Sequence, residues 1–334
     1  MLRMDPFRLE TPDTVEEAVA LLALHGDQAK LLAGGTDLVP NIKHGLHEPA
    51  VVISIGKIAS LKGIKDLGDI IEIGALTTLH DVAESAVVHA SAPGLAKAAG
   101  LVAGPQLRRM GTLGGNLCLD TRCLYYNQTH FWREALGFCL KKDGTVCHVV
   151  AGGKKCVAAA SNDTATMLLC LDASVEIRSK SGTRIVKLED FYVADGIHNT
   201  VLAPGDLVVK VSVPKRPRFG SRHEGYAKLR HRNSIDFPLL SVGARFDVDA
   251  GVITEARVVV SALGARPNRL ALDPWKGKSL NDVTAGEIAA LALLKCSPLT
   301  NIADDPAWRK EMVPVFVKRA IADARADGRA GSAG

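Results

Sequence analysis

Two glycine-rich segments in the first third of the chain could bind an anion through backbone amides. Residues 31–37 read LLAGGTD, with Gly34 and Gly35 where an apolar stretch gives way to an amphipathic one, and residues 111–116 read GTLGGN. Glycines leave N–H groups open to a phosphate, although a plain strand-to-helix turn uses glycine equally well. Neither segment is a GxGxxG fingerprint, and the sequence has no Walker A motif. Two such loops together favour a ligand with a diphosphate and a flat ring system, such as the dinucleotide FAD.

Five of the seven cysteines fall within one stretch: Cys118, Cys123, Cys139, Cys147 and Cys156. The stretch has no sustained hydrophobic period, and a structureless loop of this length is uncommon unless it is functional or cross-linked. A metal centre would cross-link it. The sequence has no CxxC pair of the zinc-finger kind, but His130 and His148 leave a mixed zinc site open, and scattered thiolates could equally hold an iron–sulfur cluster. Inert thiols are a third possibility, and Cys170 and Cys296 are predicted to be buried core thiols.

Short alternating strands and helices are predicted to position the glycine loops. Thr14, with Glu17 three residues later, forms a capping box that predicts a helix over 15–26. Further strands are predicted over 30–33, 51–55 and 70–73, and a helical segment over 38–43. The last part of the chain predicts strands over 207–213, 226–229, 239–248 and 252–263, then helices over 285–294 and 306–326. This order predicts a separate α+β domain after the first one.

The composition is that of an ordinary globular protein large enough for more than one domain. Of 334 residues, 47% are hydrophobic and 23% are charged, which excludes a disulfide scaffold, a collagen and a largely disordered chain. The net charge of +5 comes from 41 basic and 36 acidic residues spread along the chain, so it does not indicate nucleic-acid binding. Residues 1–14 lack the apolar core of a signal peptide, and no apolar run reaches the roughly 18 residues of a membrane span. We therefore expect a cytoplasmic protein.

Four segments taken in order resemble the FAD subunit of the molybdenum hydroxylase (xanthine dehydrogenase) family. They are LLAGGTDLVP at 31–40, IGALTT at 73–78, GPQLRRMGTLGGN at 104–116 and YAKLRHRNSIDFPLLSVGA at 226–244. The resemblance covers nearly the whole chain and implies an α+β fold. It implies a two-part FAD-binding domain of the vanillyl-alcohol-oxidase type over residues 1–220. A C-terminal α+β domain with a small antiparallel sheet would follow over residues 221–330.

The same resemblance implies which residues surround the cofactor. The first glycine loop would hold the FAD pyrophosphate, and Thr78 and the second loop would complete the phosphate and ribose surroundings. Val102 would cover the cofactor, Asp163 would contact a hydroxyl or the adenosine, and Lys228 would reach the flavin. The implied FAD-binding residues are Leu31, Leu32, Ala33, Gly34, Gly35, Thr36, Asp37, Leu38, Thr78, Val102, Thr112, Leu113, Gly114, Gly115, Asn116, Asp163 and Lys228.

The cysteine-rich insertion, at about 118–158, resembles that of one branch of the family, the β subunit of 4-hydroxybenzoyl-CoA reductase. The matching segments are CLDTRC at 118–123, NQTHFWREALGFCLK at 127–141, VCHVV at 146–150 and KKC at 154–156. This resemblance implies a 4Fe-4S cluster held by Cys123, Cys139, Cys147 and Cys156. It also implies electron transfer from ferredoxin through the cluster and FAD to partner subunits. These would be a small subunit with two 2Fe-2S clusters and a large molybdopterin subunit, which would reduce 4-hydroxybenzoyl-CoA to benzoyl-CoA.

Two other functions remain open at this point. The chain could be the FAD subunit of an oxidative hydroxylase of the xanthine or CO dehydrogenase kind, with electrons leaving through FAD. It could also be a scaffold subunit with a zinc-stabilised insertion, although the retained glycine loops argue against loss of flavin binding. Four lysines flank the cysteines and either face an acidic electron donor or belong to a solvated loop: Lys141, Lys142, Lys154 and Lys155.

Overall fold

Three sheets contain the strands of the computed structural model, which describes residues 2–215 and 220–331. The strands are β1 (Arg8–Glu10), β2 (Ala29–Leu32), β3 (Val51–Ser54), β4 (Ile64–Asp66), β5 (Ile70–Gly74), β6 (Ser174–Ser179), β7 (Gly182–Lys187), β8 (Leu207–Pro214), β9 (Ser221–Leu229), β10 (Leu240–Asp249), β11 (Val252–Ser261) and β12 (Asn268–Arg269). The first sheet is parallel with the order β1-β3-β2, and the second is antiparallel with the order β4-β5-β8-β6-β7. The third is antiparallel with the order β12-β11-β10-β9, so the predicted α+β class with a small C-terminal antiparallel sheet is confirmed.

Helices cover or connect these sheets. They are α1 (Val15–His25), α2 (Leu38–Lys43), α3 (Leu79–Glu84), α4 (Ala86–Ser91), α5 (Pro93–Gly100), α6 (Pro105–Met110), α7 (Leu113–Leu117), α8 (His130–Ala135), α9 (Asp163–Cys170), α10 (Leu188–Phe191), α11 (Asp282–Lys295) and α12 (Pro306–Gly331). Within the described part of the chain, none of them is both long and apolar enough to cross a bilayer.

Helix α1 begins and ends where the sequence predicts. The Thr14 hydroxyl accepts the Glu17 amide at 3.1 Å, and the helix stops at Gly26, whose φ of +52° favours glycine. The Glu17 carboxylate accepts the amide of Asp13 at 2.9 Å, one residue before the position a capping box would use. The helix packs Ala18 and Leu22 against the first sheet, in which Ile53 is fully buried.

Strand β8 joins the two halves of the first domain. Val211 and Val213 lie in the main core, between the second sheet and helices α3, α5 and α9. Leu207 and Val209 instead pack with the first sheet and α1. Strand β8 therefore buries side chains in both cores. Leu207, Val208 and Val209 are buried in succession, and Lys210 and Ser212 then alternate with buried valines.

The third sheet is buried on both faces. Helices α11 and α12 cover one face, where Val242 and Phe246 are fully buried. Helix α9 of the first domain packs on the other face, and a Cβ on Gly243 would lie 2.9 Å from Met167 Sδ. The two domains therefore share an interface along α9. Strand β9 starts at Ser221, and residues 216–219 lie outside the described ranges, so the boundary at 220 and 221 stays a prediction.

Side chains, not a sheet, hold the cysteine-rich insertion. Its one regular element in the described ranges is the short helix α8. Arg122 and Ala159 exchange backbone hydrogen bonds of 2.9 and 2.7 Å and close the insertion. Arg133 is only 1% exposed and donates to the Gly45 carbonyl at 2.8 Å while pairing with Asp143 at 3.3 Å. The predicted irregularity of this stretch is thus confirmed, and buried charged contacts anchor it.

Candidate functional site

The two glycine loops meet at their backbones. A Cβ on Gly34 would lie 1.9 Å from the Met110 carbonyl oxygen, and a Cβ on Gly111 would lie 3.4 Å from Thr36 Oγ1. The first of these distances is far below van der Waals contact, so no side chain fits at position 34. Gly35 has a φ of +72°, which also favours glycine. Both loops need their glycines to form one continuous backbone surface.

The predicted residue Thr78 belongs to the same surface. Thr78 and Thr112 form an isolated antiparallel bridge, which joins the start of α3 to the start of α7. Each hydroxyl caps its helix: Thr78 Oγ1 accepts the Asp81 amide at 3.0 Å, and Thr112 Oγ1 accepts the Gly115 amide at 3.1 Å. The structure therefore brings the loop at 31–38, Thr78 and the loop at 112–116 together, as predicted.

The loop residues divide into exposed and buried ones. Thr36 and Gly115 are exposed, so they are open to a ligand. Leu113 and Gly114 are buried, and a Cβ on Gly114 would lie 2.7 Å from that of Ala75. Asn116 is buried too, and its side-chain oxygen accepts the Thr164 amide at 3.1 Å. The exposed backbone between the two loops fits a diphosphate, while the buried members of the motif hold the loops in place.

Asp163 and Lys228 meet in the interface between the two domains. Lys228 Nζ lies 3.0 Å from Asp163 Oδ2, and the Tyr226 hydroxyl donates to Asp163 Oδ1 at 2.6 Å. The ammonium also donates to the Leu101 carbonyl at 3.1 Å, beside the predicted residue Val102. Burial raises the pKa of Asp163 and lowers that of Lys228, and the attraction between the two charges opposes both shifts. The structure thus brings Val102, Asp163 and Lys228 together, and their contact with a cofactor stays a prediction.

Replacing Lys228 by methionine should destabilise the domain interface. We expect the free energy of unfolding to fall by about 3 kcal/mol, because removal of one member of a buried ion pair leaves the other charge uncompensated. Urea denaturation of the flavin-free protein measures this change. The double variant Lys228→Met/Asp163→Asn should recover part of the loss. Wild-type stability in the single variant would show that the pair does not hold the domains together.

The four predicted metal ligands lie in one region of the insertion. Cys123, Cys139 and Cys156 are buried, and Cys147 is partly buried. Burial, together with the neighbouring thiols of the other three cysteines, raises the pKa of Cys123 to about 11, and the hydrogen bond from the Tyr125 amide opposes the shift. Such a group of buried thiols favours a bound cation, because a cation would stabilise their thiolate forms.

Two of these thiols accept backbone hydrogen bonds. The Cys123 sulfur accepts the Tyr125 amide and the Cys156 sulfur accepts the Ala158 amide, at 3.4 Å in the second case. In the described ranges, no three His, Cys, Asp or Glu side chains converge closely enough to hold a metal ion. A single zinc ion needs such convergence, so these described side chains do not form a zinc site. His148 Nε2 lies 2.6 Å from the Phe138 carbonyl, and the His130 side chain is 56% exposed.

Lys141 is not part of a positive surface. Its side chain is 5% exposed, and its ammonium lies 2.6 Å from Asp120 Oδ1 and 2.8 Å from the Gly196 carbonyl. The prediction that it could face an electron donor is therefore wrong, because its ammonium is buried and paired with the half-buried carboxylate of Asp120. Lys154 and Lys155 are exposed and remain available for that role.

Sequence reasoning missed three residues that the site uses. Met110 supplies the carbonyl against which Gly34 packs. Tyr226 lies two residues before Lys228 on β9, and the strand period of two places both side chains on one face, a signal that could have revealed it. Arg122 pairs with Asp37 at 3.4 Å, and no spacing in the sequence links these two positions.

Comparison with known proteins matches both domains. The model "FAD binding domain in molybdopterin dehydrogenase" matches residues 5–216, and "CO dehydrogenase flavoprotein C-terminal domain" matches residues 225–324. The carbon monoxide dehydrogenase medium chain of Hydrogenophaga pseudoflava is 27% identical over 319 residues, which are 94% of this chain and 96% of the relative. The aldehyde oxidoreductase FAD-binding subunit of Escherichia coli (strain K12) is 34% identical over 277 residues, 80% of this chain and 84% of the relative.

A solved structure agrees with these matches. Carbon monoxide dehydrogenase from Hydrogenophaga pseudoflava, in a form lacking the Mo-pyranopterin moiety of its cofactor, superposes with a TM-score of 0.79 and 26% identity. The superposition covers 98% of this chain and 99% of that one. The names of these relatives do not support an additional iron–sulfur cluster, a ferredoxin donor or reduction of an aryl-CoA. The first domain is an FAD-binding domain, and the chain belongs to the family of FAD-binding subunits of molybdenum hydroxylases.

Proposed function

We propose that this chain is the FAD-carrying electron-transfer subunit of a heteromeric molybdenum enzyme. The proposal rests on the glycine surface, by which we mean the backbone of the loops at 31–38 and 112–116 together with Thr78. There Gly34 packs on the Met110 carbonyl and leaves backbone amides open to a diphosphate. Bound FAD would supply one- and two-electron transfer, and the chain would bind and orient it. Its partners would be a molybdopterin-containing large subunit and a small subunit with two 2Fe-2S clusters. The FAD domain would be of the vanillyl-alcohol-oxidase type.

The comparisons favour an oxidative enzyme. The relatives named above are subunits of a carbon monoxide dehydrogenase and an aldehyde oxidoreductase, and a dehydrogenase is named for oxidation of its substrate. By analogy, electrons would reach this chain from the partner subunits and leave through FAD. Substrate chemistry would take place in the large subunit, because the residues discussed above serve a cofactor rather than an organic substrate.

A second candidate function is supported by the insertion. Its four gathered thiols, two of them accepting backbone amides, suit a 4Fe-4S cluster held by Cys123, Cys139, Cys147 and Cys156. With a cluster, electrons could enter from ferredoxin, pass to FAD and drive the reductive dehydroxylation of 4-hydroxybenzoyl-CoA to benzoyl-CoA at a partner's molybdenum site.

Anaerobic purification followed by flavin, iron and zinc analysis separates these functions. About one FAD and about four irons per chain would support the cluster and the reductive function. FAD with zinc or without metal would leave the oxidative function. A chain that binds no FAD even when FAD is added in excess would overturn the proposal that it carries electrons through flavin.

A further inference from the structure

Arg122 touches three parts of the molecule at once. Its guanidinium lies 3.4 Å from Asp37 Oδ1 in the first glycine loop and 3.9 Å from the ring centroid of Phe237 in the C-terminal domain. Its backbone belongs to the insertion and directly precedes Cys123. We propose that Arg122 is a positioning residue for FAD, which neutralises Asp37 and thereby makes FAD affinity depend on the state of the insertion. This inference rests on the proposed FAD-binding function.

The backbone of Arg122 is fixed by the closure of the insertion. Its amide donates to the Ala159 carbonyl at 2.9 Å, and its carbonyl accepts the Ala159 amide at 2.7 Å. The next residue, Cys123, donates its amide to Asn127 Oδ1 at 2.9 Å. The insertion therefore fixes the backbone from which the guanidinium extends, next to the first of the four gathered cysteines.

The charge of Asp37 explains why an arginine is needed there. Asp37 immediately precedes helix α2 and lies within the loop that would receive the FAD diphosphate. Its Oδ2 accepts a hydrogen bond from the side-chain amide of Asn41 at 3.0 Å. An uncompensated carboxylate beside a diphosphate would repel it. The side chains of Asp37 and Arg122 are 27% and 23% exposed, so solvent screens their pair only in part. Arg122 removes the repulsion without occupying the glycine surface.

A coupling between the two sites follows from this arrangement. When the insertion is closed by the hydrogen bonds between Arg122 and Ala159, Arg122 is held against Asp37 and FAD binds more tightly. When the insertion opens, the pair weakens and FAD affinity falls. By linkage, bound FAD would stabilise the closed insertion by the same factor.

The test is a double-mutant cycle on FAD affinity. The dissociation constant of FAD is measured by quenching of its fluorescence on the flavin-free full-length chain. Arg122→Gln should weaken FAD binding about tenfold, the size of one charge-assisted interaction. The control Lys43→Gln removes one positive charge from the exposed end of α2 and should change affinity less than about twofold. In an Asp37→Asn background, Arg122→Gln should have little further effect, because there is no carboxylate left to neutralise.

Three results would overturn the inference. One is an unchanged FAD affinity in Arg122→Gln with a melting temperature equal to that of the wild type. Another is an equal loss in the Asp37→Asn background, which would make Arg122 a direct ligand of FAD. The third is protection of the insertion's backbone amides from hydrogen exchange that bound FAD leaves unchanged in the wild type. A wild-type chain that binds no FAD would instead overturn the proposed function, and the inference with it.

Discussion

Gly34→Ala should abolish tight FAD binding while leaving the rest of the fold intact. A single added Cβ would lie 1.9 Å from the Met110 carbonyl oxygen and 2.6 Å from its carbon, so the first loop must move away from the second. A shift of this size separates the amides that would receive the diphosphate. We expect FAD affinity to fall by about 100-fold, as for the loss of two charge-assisted hydrogen bonds. Equilibrium titration of the flavin-free protein with FAD measures this loss.

Gly56→Ala is the matched control for that experiment. Gly56 lies in the turn after β3, and a Cβ there would meet no atom within 4 Å. The substitution changes the same residue type in the same domain, and we expect FAD affinity and stability close to those of the wild type. If Gly34→Ala binds FAD as well as Gly56→Ala does, the contact between the glycine loops does not form the cofactor site.

The strands that the sequence predicts well are those with local signals. Residues 239–248 and 252–263 are predicted as strands, and the structure has β10 over Leu240–Asp249 and β11 over Val252–Ser261. The turn between them contains Ala250 and Gly251 with φ of +46° and +80°. The sequence Asp-Ala-Gly predicts a turn at this position. Turn-forming residues and the alternation of apolar residues are therefore sufficient to predict both strands.

Strand β9 shows why other boundaries were missed. The prediction starts at Tyr226, but the strand begins at Ser221. The first half of β9 contains the charged residues Arg222 and Glu224, which are not typical of a buried strand. Both side chains are nevertheless buried. Arg222 Nε donates to Asp247 Oδ1 at 2.9 Å across the pair β9–β10, and Glu224 Oε2 accepts the Gly94 amide at 3.0 Å. Asp247 neutralises Arg222 and the Gly94 amide hydrogen-bonds to Glu224, and periodicity cannot reveal partners so distant in the sequence.

Part of the candidate site can also be predicted from the sequence, and part of it cannot. The glycine loops and the cysteines are recognisable from composition and from resemblance to a family. The pairs Asp163–Lys228 and Asp37–Arg122 join residues that are far apart in the chain, and they exist only because α9 packs on the third sheet and the insertion folds back on α2. Such tertiary contacts override local signals and become visible only in the folded structure.

Cys139→Ser should remove iron from the chain if the insertion holds a four-iron cluster. Serine is a much poorer ligand for iron than the cysteine thiolate, so the loss of one of four ligands should reduce iron to less than about one tenth of the wild-type content. FAD should still bind when supplied in excess, because the glycine surface lies outside the insertion. Iron analysis and the visible spectrum after anaerobic purification measure both quantities.

Cys118→Ser supplies the control, because Cys118 is not one of the four gathered thiols. It should retain the wild-type iron content. Full iron in Cys139→Ser would reject the ligand assignment, and loss of iron in Cys118→Ser would place Cys118 among the ligands. If both variants and the wild type contain FAD but no iron, the insertion is held by contacts such as Arg133 with Gly45, and the oxidative function remains. The same pair of variants therefore decides the ligand set and whether the insertion offers a metal route to FAD.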